Sequence, residues 1–374
     1  MIKSFISGNT AIAEGAITAG MRFYAGYPIT PASEIMEYLA EKLPRIGGVA
    51  MQFEDEIASI NAAIGASWAG AKSMTATSGP GFSLMLEALG LAVITETPLV
   101  VVDVMRAGPS TGVPTKTSQS DIMQVRYGAH GDYVIPVFAP WSAQEAYDLT
   151  IKAFNVAESL RTPVILLSDA IIAHLWESVL VADPGEVEII NRKKPSVPPN
   201  LYLPYKPDDD LVPPMAVFGE GYNVLVESLV HDERGFYKQD KTTYRNLVNR
   251  LINKVLSKID SIFEVETYYS DDYEYLLVSF GSTARSALAA TRALRKSGIK
   301  AGLLRLKTLW PLKLEVLEKY CGEAKKVFVI ENNTGKLLYD IERVTEDSKA
   351  VSLPLLDLEI PEPKDIVEGV KKWL

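Results

Sequence analysis

The stretch from Glu56 to Gly70 (Glu-Ile-Ala-Ser-Ile-Asn-Ala-Ala-Ile-Gly-Ala-Ser-Trp-Ala-Gly) constrains this chain more than any other. From Glu56 onward the spacing predicts a helix. Ile57, Ile60, Ile64 and Trp68 form one apolar stripe, and Ala58, Ala62, Ala66 and Ala69 form a second beside it. A helix apolar around so much of its circumference belongs inside a protein, where its alanines let a neighbouring backbone approach closely. Three carboxylates, Glu54, Asp55 and Glu56, stand at its N-terminal edge. An acidic first turn complements the helix dipole, which is the plain reading. The sharper reading puts one carboxyl, Glu56 at the start of the small-residue face, in a pocket. There desolvation makes it hard to ionise and fit to hold or share a proton.

A chain of 374 residues has room for two or three domains and a large core. A net charge of −9 argues against nucleic acid as the main partner, because phosphate binding needs a basic face, and suits a cytoplasmic enzyme or assembly subunit. No signal peptide is expected from Met1-Ile-Lys-Ser. The most apolar region, Leu84 to Met105, is broken by Glu87, Glu96 and Pro98, so no membrane span is expected either. The single Cys321 excludes an internal disulfide and any cysteine-ligated iron–sulfur cluster carried by this chain alone. His130, His174 and His231 are scattered without the paired spacing of a zinc site.

Along the chain, helical and strand patterns alternate. Gly8 to Gly20 reads as a small-residue helix, Phe23 to Ala25 as a strand and Ala32 to Leu43 as a helix. Thr30 and Pro31 fit the cap and first position of that last helix, and the same geometry makes an anion site. Val49–Phe53, Ser73–Thr77 and Leu99–Met105 read as strands, with Ser78-Gly-Pro-Gly81 as a turn before a helix from Phe82 to Ile94. That turn lacks the Gly-Lys-Ser/Thr ending of a phosphate-binding loop. This alternation predicts an open, mostly parallel α/β sheet with ligands beyond the carboxyl ends of its strands. Tyr27 to Thr30, Ser78 to Gly81 and Arg106 all fall at such ends. Arg106 can pair with a neighbouring carboxylate or clamp a carboxylate substrate beside the polar loop from Ala107 to Asp121. In that loop Lys116 can reach a distal carboxylate or stay solvated.

A helix from Ala143 to Ser159 and a strand from Thr162 to Ser168 close the first unit. Eight prolines between Pro184 and Pro214 predict an extended surface segment. A long helix is expected from Phe236 to Phe263, either bridging two domains or capping the first. The last third reads as another α/β unit, with strands at Tyr273–Phe280, Ala301–Leu306 and Val327–Glu331 and helices at Ala284–Lys296, at Lys313–Tyr320 and after Gly335. The expected division is 1–183, 184–271 and 272–374.

Four segments now coincide: Ala25-Gly-Tyr-Pro-Ile-Thr-Pro-Ala-Ser-Glu34, the Glu56 helix, Thr75-Ala-Thr-Ser-Gly-Pro-Gly81 and Asp103-Val-Met-Arg-Ala-Gly-Pro-Ser-Thr-Gly112. Together they resemble the alpha subunit of 2-oxoacid:ferredoxin oxidoreductases, the 2-oxoglutarate type in particular. The likeness continues through Val230-His-Asp-Glu-Arg-Gly235, Leu304 to Pro311 and Glu331-Asn-Asn, with Ala32 and Lys336 as small departures.

The resemblance implies a thiamine-diphosphate pyrimidine-binding fold followed by a smaller domain like the transketolase C-terminal domain. It implies that Glu56 hydrogen-bonds the aminopyrimidine and favours the tautomer that deprotonates the thiazolium ring. Thr30 and Arg106 would hold the substrate carboxylate, and Tyr27, Pro28, Ile29, Ser78 and Gly79 would line the cofactor pocket. The reaction implied is oxidative decarboxylation of 2-oxoglutarate to succinyl-CoA and CO2, with coenzyme A as co-substrate and electrons leaving to ferredoxin. Such enzymes bind the diphosphate and Mg2+ through a Gly-Asp-Gly motif, whereas this chain has only Gly131-Asp132-Tyr133. A beta subunit is therefore expected to bring that domain, the magnesium and a [4Fe-4S] cluster; separate gamma and delta subunits stay open. The alternatives are the same chemistry on pyruvate or branched-chain 2-oxoacids, and a structural subunit with a vestigial pocket.

Overall fold

The short apolar runs that glycine and proline separate in the sequence assemble into a seven-stranded sheet. Its order is Thr308–Trp310, Val137–Phe138, Pro163–Asp169, Leu99–Met105, Ser73–Thr77, Phe23–Gly26 and Val49–Gln52. Every neighbouring pair is parallel except Thr308–Trp310 with Val137–Phe138. The structure, a computed structural model, describes residues 2–183, 185–346 and 348–374; Pro184, where the proline-rich segment was expected to begin, lies outside them. The three strands Pro163–Asp169, Leu99–Met105 and Ser73–Thr77 are buried throughout, as a parallel sheet covered on both faces requires. On one face pack the Glu56–Trp68 and Gly79–Ile94 helices, and on the other the Gly8–Thr18 and Ala143–Leu160 helices.

A second sheet, of five strands, runs Ala350–Pro354, Lys326–Glu331, Tyr275–Phe280, Ala301–Leu306 and Val265–Tyr268, with only the last pair antiparallel. Two strands cross between the sequence regions. Val265–Tyr268 precedes the last third yet joins its sheet, and Thr308–Trp310 leaves that third to edge the first sheet. A two-stranded ribbon pairs Ile2–Ser7 with Trp176–Val181. Neither of its strands is among those expected from the sequence pattern.

Four local expectations are corrected. The helix after the Tyr27–Pro31 turn starts at Ser33, not at a Thr30 cap. Ala32 donates to the Ile29 carbonyl at 2.8 Å and Asn9 Nδ2 holds the Pro31 carbonyl at 2.8 Å, so the chain is still turning there. Ser78-Gly-Pro-Gly81 is not a separate turn, because the helix begins at Gly79 with proline in its first turn, where a missing N–H costs nothing. The long basic helix is shorter, Lys241–Leu256, followed by a turn at Ile259–Ile262. Its front end is held in a hairpin, Asp232 donating to the Phe236 carbonyl at 3.0 Å, and its rear is pulled away by Thr308 and Lys152 bonding the Ile262 carbonyl. Gly335 starts no helix; its φ is +93° and the next helix is Leu338–Glu342.

The proline-rich stretch does run without sheet or long helix, holding only the short turn Pro199–Leu201. It is nevertheless fixed, because Tyr202, Tyr205, Val212 and Met215 are buried. No described helix is long and apolar enough to cross a membrane.

Candidate active site

Local structure first decides what each carboxylate at the Glu56 helix does. Asp55 takes the N-cap role, accepting from Ala58 N at 2.7 Å, so Glu56 is not needed there. Glu56 is instead turned inward and only 4% exposed, although it opens the helix. Of the predicted stripe, Ile60, Ile64 and Trp68 are buried, but Ile57 is 49% exposed and the alanine face is only half covered. The helix therefore rests on the sheet along one narrow face.

Gly81 explains how a carboxyl fits at that place. A Cβ there would overlap both the Thr77 hydroxyl and the Glu56 carboxylate, so the missing side chain is the space Glu56 occupies. Burial pushes the Glu56 carboxyl above its ordinary value; Asp55 adds to that and Arg106 opposes it. No ion pair within 4 Å relieves it among the described residues. A carboxyl in this state exchanges a proton with a buried ligand more readily than it serves as a surface charge.

Arg106 follows directly on the strand Leu99–Met105 and is 7% exposed. Its Nη1 donates to the Thr30 carbonyl at 2.7 Å, joining two predicted site residues. The contact differs from the expected one, for the Thr30 backbone holds the arginine while the residue itself is exposed. Arg106 Nε is buried with no partner, and among the described residues no carboxylate comes within ion-pair distance. The guanidinium is thus held in place with donors to spare, ready for a bidentate carboxylate. The hydroxyls of Thr75, Thr77 and Ser78, at the end of the adjacent strand, are also buried without partners. Tyr27 and Pro28 stand exposed at the mouth, Ile29 is half-buried, and Ser78 and Gly79 are buried. A cleft lined by Gly79, Pro80, Ser83, Arg106, Asp121 and Gln124 opens beside them.

Three residues at this place escaped the sequence reading of the site. Asp103, fully buried in an apolar strand, and Asp121, at the end of the polar loop, lie within hydrogen-bond reach of each other. A charge set in the run Leu-Val-Val-Val-Asp-Val-Met was the available signal, since such a residue is costly to bury without a purpose. Gln119 left no sequence signal. Its Nε2 donates to the Phe280 carbonyl at 3.0 Å, and its Oε1 accepts from Thr283 Oγ1 at 2.8 Å and Asn332 N at 3.0 Å. Its own carbonyl accepts from Asn333 Nδ2 at 2.7 Å. The polar loop is thereby latched onto the second sheet, and Gly281 is required there because a Cβ would stand 2.7 Å from Gln119 Nε2. Lys116 is not turned to the cleft; it stays partly exposed and pairs with the exposed Glu359.

Removing the latch has a stated expectation. Gln119→Ala strands three buried polar groups, each costing about 1–3 kcal/mol, so a lower melting temperature of the complex and a raised KM for the anionic substrate are expected. Unchanged values of both would show that the loop is positioned by other contacts.

Comparison with known proteins places the chain in a family. Residues 14–249 match the family described as pyruvate flavodoxin/ferredoxin oxidoreductase, thiamine diphosphate-binding, and residues 273–356 match pyruvate:ferredoxin oxidoreductase core domain II. The chain is 51% identical over 353 residues to the 2-oxoglutarate synthase subunit KorA of Methanocaldococcus jannaschii, covering 94% of both chains. Among solved structures it superposes with a TM-score of 0.94 and 36% identity on the 2-oxoglutarate:ferredoxin oxidoreductase from Magnetococcus marinus with 2-oxoglutarate, coenzyme A and succinyl-CoA bound. That match covers 99% of this chain and 65% of the other. A split gene transketolase, an inactive beta4 tetramer, shares the fold alone, with a TM-score of 0.58 and 14% identity over 99% of this chain and 98% of that one.

Proposed function

The chain belongs to the pyruvate flavodoxin/ferredoxin oxidoreductase family, and from that premise we propose that it is the alpha subunit of a 2-oxoglutarate:ferredoxin oxidoreductase. One observation carries the reading: a buried, unpaired carboxyl, Glu56, faces the same strand ends as an arginine with free donors, Arg106. The first group suits a cofactor that must exchange a proton, and the second suits a 2-oxoacid.

The residues fit thiamine diphosphate. Among the described residues no cation pairs with Glu56, and the orphaned hydroxyls of Thr75, Thr77 and Ser78 offer polar contacts to a heteroaromatic ring. When bound, this cofactor supplies the nucleophilic carbon and the electron sink for decarboxylating a 2-oxoacid. Glu56 then holds a proton at the pyrimidine nitrogen, while Ile29, Ser78 and Gly79 shape the wall and Tyr27 and Pro28 the rim. Arg106 grips the carboxylate next to the oxo group, with Thr30 keeping the guanidinium aimed. We take the chain as a pyrimidine-binding unit over residues 1–183, a connecting segment over 184–271 and a transketolase C-terminal-like unit over 272–374.

This chain supplies half a site. The strand Val49–Gln52 edges the sheet, and its Val49 and Met51, with Ile57 beside them, are 47%, 44% and 49% exposed, a surface suited to a covering protein. A beta subunit carrying the diphosphate site, Mg2+ and an iron–sulfur cluster fits there, and ferredoxin and coenzyme A complete the reaction. Whether gamma and delta subunits are separate does not alter the site. Cytoplasmic residence belongs to the same proposal.

The test is turnover by the complex purified from its source, with coenzyme A and ferredoxin, on 2-oxoglutarate, pyruvate and 2-oxoisovalerate. The expected kcat/KM favours 2-oxoglutarate by on the order of 100-fold or more, the discrimination reached when an enzyme hydrogen-bonds a group that its competitors lack. Pyruvate turning over while 2-oxoglutarate does not would transfer the chain to the pyruvate branch.

A further inference from the structure

Arg106 stands among three carboxyl groups, Glu56, Asp103 and Asp121, none close enough to form an ion pair with it. Were all three ionised, the cleft would repel the anion that Arg106 is placed to bind. Two of them solve this by contact. Asp103 and Asp121 lie within hydrogen-bond reach, and both Asp103 oxygens and Asp121 Oδ2 are buried with no other side-chain partner. Two carboxylates cannot face each other so closely without a proton between them.

We propose that Asp103 and Asp121 form a proton-sharing pair whose charge sets how tightly Arg106 holds the carboxylate of the substrate, so that substrate binding is tied to proton uptake. This rests on the functional reading above. The groups facing the pair are Arg106 from the end of the same strand as Asp103, the Gly79 amide from the next helix and Lys336 from the C-terminal region, while Glu56 faces Arg106 from its own helix. Asp121 Oδ2 stands 3.3 Å from where a Gly79 Cβ would be, so glycine leaves room for the pair to sit against the helix start. Burial holds the Asp103 carboxyl well above the usual range and raises Asp121 to about 6, with Lys336, Asp103 and Arg106 opposing the rise at Asp121.

The sign follows. Below the Asp121 value the pair carries two protons and no charge; above it the pair keeps one proton and carries one negative charge. An incoming anion disfavours that charge and draws a proton back. Asp121 is a positioning residue here, acting through the field at Arg106 and not touching the reacting atoms.

The experiment is calorimetric titration of the assembled holoenzyme with N-oxalylglycine, an unreactive isostere of 2-oxoglutarate, in buffers of different ionisation enthalpy between pH 5.5 and 8. The wild-type complex is expected to take up a fraction of a proton per site near neutral pH, and its dissociation constant is expected to rise on the order of tenfold from the acid to the alkaline end. In Asp121→Asn the uptake and the pH dependence are expected to disappear. In Asp103→Asn, which keeps the Asp121 carboxyl but removes the acid that opposes its rise, both are expected to move to higher pH. Wild-type binding without proton uptake, or identical profiles in wild type and both variants, overturns the pair and leaves the functional reading standing. A complex that binds no N-oxalylglycine and turns over no 2-oxoglutarate overturns both.

Discussion

Glu56→Gln in the assembled complex is expected to lower 2-oxoacid turnover by about 10²- to 10⁴-fold, the usual range for a lost proton-transfer partner. Glutamine keeps the shape of the side chain over Gly81 but cannot hold an acidic proton. The effect belongs in kcat, while the KM for the 2-oxoacid, set by Arg106, moves little. Stability separates this from damage to the fold. The Glu56 carboxyl is raised by burial, so the folded state binds its proton more tightly than the unfolded chain, and ionising it at neutral pH works against folding. Removing that group leaves the melting temperature at pH 7 equal or higher, whereas a structural acid would leave it lower. Anaerobic turnover and differential scanning fluorimetry on the same preparation read both quantities, and a variant that turns over like the wild type would strip Glu56 of its role.

Glu96→Gln is expected to be the most destabilising single substitution outside the site, by roughly 3–5 kcal/mol. Glu96 is fully buried, with Arg250 Nη2 at 2.6 Å and Lys254 Nζ at 2.8 Å. Its backbone carbonyl also accepts from Arg161 Nε at 3.2 Å. Burial opposes its charge, yet Lys254, Arg250 and Arg161 together hold the carboxyl well below the usual carboxylate range. The wild-type contribution is therefore whole above about pH 4.3 and is lost only in strong acid. In the variant the cations keep no carboxylate at this point. Lys254, already drawn down to about 8 by burial, is left with the Arg161 carbonyl at 2.8 Å. A lysine whose folded value is depressed releases a proton on folding, so the variant regains stability as pH rises from 7 to 9. Denaturation of the complex at both pH values checks this, and equal losses at both would place the damage in packing instead of charge.

How much of this could be read from residues differs by element. The strands at Ser73–Thr77 and Leu99–Met105 were legible because both faces are buried, and burial writes an unbroken apolar run. Helix ends were less legible. Phe236 to Phe263 keeps helical spacing beyond Leu256, yet the hairpin at Asp232 and the bonds to the Ile262 carbonyl overrule it. Thr30 has cap chemistry and does not cap, because Asn9 and Ile29 fix the preceding turn. At the site, Glu56 and Arg106 stood out as charges at the edges of apolar patterns, whereas Gln119 did not, since its partners lie more than 150 residues away.

The sequence by itself determined the alternation of strand and helix, the strand ends on which a site could form and the residue types available there. Local patterning encodes those directly, because period and composition act over a few neighbouring residues. Only the tertiary structure decided which carboxylate caps and which is buried, that Asp103 meets Asp121, and that the last third of the chain clasps the loop after Arg106. Those outcomes depend on desolvation and on hydrogen bonds between distant segments, and neither exists until the chain has folded.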